Sequence, residues 1–199
     1  MRVFLASRNL KKIAEMERIL REHLPDVEVL GIDQVDGYDE PVEDQSTFEG
    51  NALLKARAGV LATGLPSLAD DSGLCVDALN GMPGVLSARW SGPPKDDARN
   101  NGLLLAQLED VPDERRTAHF HCAVAFVHPD GEELTSGTMP GRVVREVRGS
   151  GGFGYDVLFE AEARPGLTTA ELSIEDKDAI SHRGWALRRM SPIVARILR

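Results

Sequence analysis

Apolar and polar positions alternate along this chain with two different periods, and the switches between them mark out strands and helices. Val3 to Ala6 is a short apolar run of the kind that forms a buried strand. Leu10, Ile13 and Leu20 then recur among charged residues at helical spacing, so a strand followed by an amphipathic helix is expected, with Ser7 or Asn9 as its cap. A second strand is expected at Val27 to Leu30, followed by an acidic loop from Asp33 to Ser46 with too little apolar content to be core. Phe48 to Ala62 reads as a helix. Leu53, Leu54, Ala58 and Leu61 are its apolar positions, Asn51 and Lys55 share a face four residues apart, and Gly64 and Pro66 end it.

In the second half, Asn101 to Leu108 predicts a helix whose leucines at 103, 104, 105 and 108 are available to cover a sheet or a second subunit. From His119 to Val127 the residues alternate between two faces, and Asp130-Gly131 signals a hairpin into a strand at Glu133 to Thr138. Short strands are expected at Gly141 to Val144 and Val157 to Glu160. Ser173 with Asp176 resembles a capping box, and Ser181 is placed to cap a last helix running through Trp185, Leu187, Met190, Val194 and Ile197. Helices and strands interleave while the middle is joined by hairpins. The fold class expected is therefore α/β, with a mixed sheet flanked by helices.

With 199 residues, 42% of them hydrophobic, the chain is long enough for a substantial core, and residues 1–199 are expected to form one domain, in two lobes. The net charge of −9 argues against a nucleic-acid polymer as partner, because duplex binding draws on a broad basic surface. Any anionic ligand must then be met by a local cluster of cations. Cys75 and Cys122 each lie in an apolar run without metal-ligand spacing and are expected to be reduced core residues. The strand-like start at Met1 to Leu5 lacks a signal-peptide pattern, and no apolar run approaches the ~18 residues of a membrane span, so a cytoplasmic protein without a membrane partner is expected.

Four groups of residues carry candidate chemistry. Asp70-Asp71 interrupts an apolar run and is expected at a strand end or in a tight turn; an acidic β-turn closed by Ser72-Gly73 is the plain structural alternative. If the backbone there is extended, the two carboxylates point to opposite sides. At Ser7-Arg8-Asn9-Leu10-Lys11-Lys12, a strand-to-helix junction, backbone N–H groups are expected to point outward unpaired. Cations in a first helical turn oppose the helix dipole, which makes sense if a bound phosphate supplies the missing negative charge. In Gly149 to Asp156 four glycines permit close approach to a ligand, and Phe153 and Tyr155 offer flat faces for a ring, against the alternative of a hairpin with packed aromatics. Lys177 with Ser181-His182-Arg183-Gly184 places cations beside a helix start, either solvated or reading the polar edge of a ring. Asp39, Glu40, Glu43 and Asp44 with Asp70-Asp71 are the hard oxygen donors that Mg²⁺ takes when shared with substrate phosphates. His119 and His121 share a strand face and are read as partly exposed strand residues.

The blocks SRNLKK, TFEGNALLKARA, LADDSGLCVDALNGMPGVLSARWSG, GGFGYD and KDAISHRG occur in this order between residues 7 and 184. They resemble the signature blocks of the inosine triphosphate pyrophosphatase family, which clears non-standard purine nucleotides. The resemblance implies Mg²⁺-dependent hydrolysis of ITP, dITP and XTP to the monophosphate and pyrophosphate, by a homodimer of elongated mixed α/β subunits with the site in a cleft between two lobes. It implies that Ser7, Arg8, Asn9, Leu10, Lys11 and Lys12 hold the phosphate tail with help from Ser72. Asp71 matches the catalytic carboxylate, activating water or ligating the metal, and Glu43 matches the second metal carboxylate. Phe153, Gly154, Tyr155, Asp156, Lys177, His182 and Arg183 would enclose base and sugar. Glu43-Asp44-Gln45 departs from the usual pattern and leaves the choice between Glu43 and Glu40 open. A nucleotide-sensing module without turnover and a pyrophosphatase for pyrimidine nucleotides are the alternatives.

Overall fold

The computed structural model describes the backbone of residues 1–199 and every side chain except that of Lys11. Six strands make one mixed sheet in the order β2-β1-β3-β4-β5-β6: β1 (Arg2–Leu5), β2 (Glu28–Leu30), β3 (Ser67–Val76), β4 (Thr117–His128), β5 (Gly131–Val143) and β6 (Phe159–Ala161). β1 is parallel to both neighbours, with Val3 opposite Val29 and Phe4 opposite Ser67. Parallel neighbours need crossover connections, and α1 (Leu10–Arg21) and α2 (Phe48–Thr63) supply them. β6 is antiparallel to β5, with Arg142 opposite Glu160. The remaining helices are α3 (Asp97–Gln107), α4 (Ile174–Ile180) and α5 (His182–Leu198).

The chain forms two compact units, and the three long strands run through both. Residues 1–71, 122–136 and 185–199 make unit 1; residues 72–121 and 137–184 make unit 2. Each has its own core. In unit 1, Met16, Ile19 and Leu20 of α1 and Leu187, Met190 and Val194 of α5 recur at helical spacing and bury against Val3, Leu68, Val124 and Phe126. Burying a side chain such as Phe126 completely is worth about 1.5–3 kcal/mol. In unit 2, Leu104 and Leu108 pack with Leu74, Met139, Tyr155 and Phe159. Cys75 and Cys122 are free and buried, as expected.

Several boundaries differ from the sequence expectation for local reasons. The acidic segment is not wholly outside the core: it sends Tyr38 into a cluster with Phe4 and Ile32. α3 begins at Asp97 rather than Asn101, because the Asp96 carboxylate accepts the Arg99 N–H at 2.9 Å and caps it. Residues 133–138 and 141–143 are not two strands but parts of β5, and Val144 lies just beyond its end. At Gly141 a β-carbon would lie 2.2 Å from the Glu160 carbonyl, so glycine is what lets β6 pair there. Val157 lies in a 3-10 turn, Gly154–Leu158, and β6 starts only at Phe159. Among the described residues, no helix is long and apolar enough to cross a membrane.

Candidate functional site

β3 is unbroken from Ser67 to Val76, so Asp70 and Asp71 lie in mid-strand and not at a strand end or in a turn. Carboxylates survive there because successive side chains leave a strand in opposite directions and each finds its own partner on a helix. Asp70 is 6% exposed and receives Lys12 of α1 in a forked contact, with Nζ 2.8 Å from Oδ2 and 3.1 Å from Oδ1. Asp71 turns to α2. Asn51 Nδ2 donates to its Oδ2 at 3.0 Å, and Lys55 Nζ stands 3.7 Å from its Oδ1.

The helix start that carries Lys12 is built by its own side chains. Ser7 Oγ accepts the Asn9 N–H at 3.1 Å, while the Asn9 carbonyl accepts Ile13 N–H at 3.0 Å and its Oδ1 accepts Lys12 N–H at 3.4 Å, which makes Asn9 the cap. Two of the N–H groups expected to point outward unpaired, those of Asn9 and Lys12, are therefore already bonded within the junction. No acidic residue occupies the first turn of α1. Gly31 lets the chain after β2 pass against this turn, since a β-carbon there would meet Ile13 Cδ1 at 2.3 Å and the Ser7 carbonyl at 3.0 Å. Arg8 bonds Asp33 and reaches Glu40 at 3.4 Å on the surface, and Leu10 is exposed. The Lys11 side chain lies outside the described residues.

Lys55 ties the acidic segment to β3. Its Nζ is 2.6 Å from Glu43 Oε1, so Glu43, rather than Glu40, stands beside Asp71. Burial opposes the lysine's charge, yet Asp71, Asp70 and Glu43 together hold its pKa above the ordinary value. Asp71 is pushed up by burial first and by Glu43 and Asp70 as well, against the pull of Lys55 and the Asn51 hydrogen bond, and the balance is upward. Two hard carboxylates with one cation already between them form a donor set that suits Mg²⁺, which commonly takes one or two protein carboxylates and completes its shell from water and phosphate. Among the described residues no larger gathering of His, Cys, Asp or Glu is placed to hold a metal.

In unit 2 the glycine-rich block is organised around Asp156, which is 4% exposed. Its Oδ2 accepts Phe153 N–H at 2.9 Å and Lys177 Nζ at 2.5 Å, and its Oδ1 accepts Thr169 Oγ1 at 2.7 Å. Gly152 has φ +72°, and a β-carbon there would fall 2.1 Å from Asp156 Oδ2. Phe153 is 59% exposed, with Lys177 Nζ 5.5 Å and Arg183 Cζ 6.0 Å from its ring centre. Arg183 also donates to Ser72 Oγ at 3.2 Å. His182 stacks on Phe120 at 4.9 Å. Tyr155 corrects the expectation of two open aromatic faces: it is buried in the core and its hydroxyl donates to the Ser87 carbonyl at 2.9 Å.

Of the sequence-derived residues, Ser7 to Lys12, Glu43 and Asp71 belong to unit 1, and Ser72, 153–156, Lys177, His182 and Arg183 to unit 2. Lys12 is joined to Asp70, Glu43 and Asp71 are joined through Lys55, and Arg8 and Leu10 are exposed. Asn51 and Lys55 were missed as site residues, although a polar pair four apart on one helix face was their visible signal. Thr169 and Asp97, which bond Asp156 and Gly154, carried no signal. His119 and His121 are half-buried strand residues as expected. A cavity of about 270 Å³ in unit 2 contains none of these residues. Arginines 116, 142, 145 and 148 line it, each engaged by carbonyls or carboxylates.

The profile of the Ham1 family matches residues 3–193. A dITP/XTP pyrophosphatase of Nocardia farcinica is 58% identical over 98% of this chain and 95% of its own length, and one from Cutibacterium acnes is 55% identical over 97% and 96%. Among solved structures, a HAM1 protein from Coxiella burnetii superposes with a TM-score of 0.90 at 39% identity, covering 98% of this chain and 99% of that one. The chain belongs to the Ham1 family.

Proposed function

We propose that this chain is a pyrophosphohydrolase of non-standard purine nucleotides, converting dITP, XTP and ITP to the monophosphate and pyrophosphate and so clearing them from the nucleotide pool. The names of its relatives in Nocardia and Cutibacterium support the substrate class. The observation that carries the chemistry is the convergence of Glu43 and Asp71 on Lys55, one residue along β3 from the Asp70 that holds Lys12 of α1.

In this reading Ser7 to Lys12 bind the phosphate tail, with Asp70 holding the Lys12 ammonium in place. Asp71 is the carboxylate at the reacting phosphorus, and Asn51 fixes its orientation through Oδ2. Glu43 and Asp71 would hold Mg²⁺, which when bound neutralises phosphate charge and so lowers the repulsion met by an attacking water. The exposed face of Phe153 stacks the base, a contact typically worth ~1–3 kcal/mol whatever the base. Lys177 and Arg183 beside that ring supply donors for a 6-oxo group. Opposite the 6-amino group of adenine the same donors stay unpaired, which is costly. The chain acts in this reading as a cytoplasmic homodimer, which the family resemblance supports and sedimentation of the purified protein tests.

A panel of nucleoside triphosphates with separate detection of pyrophosphate and orthophosphate tests the proposal. Stoichiometric pyrophosphate from dITP and XTP with Mg²⁺ is expected, with little from ATP. Orthophosphate as first product, binding without turnover, or preference for a pyrimidine nucleotide would each overturn it.

A further inference from the structure

Phe153 is the one aromatic of the glycine-rich block whose face is open, and little packing holds it: the residue is 59% exposed. Its placement is left to its backbone, which is extended at φ −162° and ψ 169°. Both peptides that flank it are tied to carboxylates. On one side Phe153 N–H donates to Asp156 Oδ2 at 2.9 Å, a short-range contact inside the motif. On the other, Gly154 N–H donates to Asp97 Oδ2 at 2.7 Å, across 57 residues of sequence. One turn further along the same helix, Asn101 Nδ2 donates to the Gly154 carbonyl at 3.0 Å. Gly154 has φ +60°, a backbone state that other residues rarely adopt, so the peptides on both of its sides are gripped by α3 while it makes the turn. The helix doing the gripping is itself anchored, because Leu104 and Leu108 are fully buried in the core of unit 2.

We propose that Asp97, with Asn101 behind it, is a positioning residue for the nucleotide base: it acts through the Gly154 peptide to hold the Phe153 ring at the angle at which a purine stacks. This deepens the function proposed above and rests on it. Hydrogen bonds to a charged acceptor are worth more than neutral ones, and the largely exposed ring has only Lys177 and Arg183 beside it, so loss of Asp97 should be felt as misplacement of Phe153 and not as loss of fold. Asp97 also sits in the first turn of α3, where any carboxylate favours the helix dipole. Asp97→Asn separates the two roles, since the amide keeps an acceptor oxygen for Gly154 N–H but carries no charge.

The experiment is a double-mutant cycle on the full chain with Asp97→Ala and Phe153→Ala. It is read both as steady-state hydrolysis of dITP and as equilibrium binding of inosine monophosphate. Asp97→Ala is expected to raise KM for dITP by about tenfold with kcat within about twofold, as loss of uniform binding should. Asp97→Asn is expected to restore most of the difference. In the Phe153→Ala background Asp97→Ala should change KM by less than about twofold, because the group it positions is gone. Additive effects, a fall in kcat alone, no change on Asp97→Ala, or no effect of Phe153→Ala would each overturn the inference. Should the wild-type protein fail to hydrolyse dITP while the cycle holds in monophosphate binding, the proposed reaction falls and this inference stands. Normal turnover with an additive cycle sinks this inference alone.

Discussion

Lys12 and Asp70, 58 residues apart, form a forked ion pair in which the carboxylate is almost fully buried and the ammonium is about one-quarter exposed. Removing one member of such a pair leaves an uncompensated charge, whereas removing both costs far less. Lys12→Met should therefore destabilise the protein by about 1–3 kcal/mol in urea unfolding, and Lys12→Met with Asp70→Asn should recover most of that loss. If Lys12 also grips the phosphate tail, the double variant regains stability without regaining pyrophosphate release. Equal recovery of both would sink the assignment of Lys12 to the substrate.

Asp71 gives the opposite pattern. Its pKa is raised mainly by burial, so the ionised side chain is a cost that the fold bears for function. Asp71→Asn should leave thermal stability unchanged or higher in the absence of Mg²⁺, while pyrophosphate release from dITP falls by roughly 10²–10⁴-fold. A variant that loses stability and activity together would argue for a structural role.

Both tyrosines are buried and both titrate high. Burial, with Glu40 and Glu43 close by, pushes Tyr38 up to about 12, and burial with Asp97 close by raises Tyr155 as well. The folded protein should therefore show almost no tyrosinate absorbance at pH 10, where half of the tyrosines of the urea-unfolded chain are ionised. A pKa higher in the folded state means that the folded state holds its protons longer. The stabilisation linked to Tyr38 is complete below pH 10 and is lost as pH rises from 10 towards about 12. Alkaline unfolding followed by circular dichroism checks the direction.

Gly152 is needed for two reasons that act together: its φ of +72° disfavours a side chain, and a β-carbon would press on Asp156 Oδ2 at 2.1 Å and on Lys177 Nζ at 2.9 Å. Gly152→Ala should cost about 1–3 kcal/mol of stability and raise KM for dITP by loosening the block that carries Phe153. Gly102→Ala, inside α3 where a β-carbon meets nothing within 4 Å, is the contrasting control: alanine should stabilise the helix by about 0.5–1 kcal/mol and leave KM for dITP unchanged.

What the sequence determined by itself is the local order of elements and the inventory of chemistry. The periodicity of Leu10 to Leu20, the alternation from His119 to Val127, and the caps at Asn9, Ser173 and Ser181 depend on neighbours a few residues away, and the structure contains all of them. The signature blocks likewise placed the chain in its family. Only the tertiary structure decided which charges are neighbours. Asp70-Asp71 read as a strand end or a tight turn because a buried carboxylate is costly without a partner. The partners, Lys12 and Asn51 with Lys55, come from two different helices, and no local pattern shows which helix will lie against which side of β3. Tyr155 and Phe153 are alike in composition and two residues apart, yet one is sealed against the Ser87 carbonyl and the other left open. Burial is a property of the packed core and not of the residue, so the choice between them, like the reach of Asp97 to Gly154, exists only once the chain has folded.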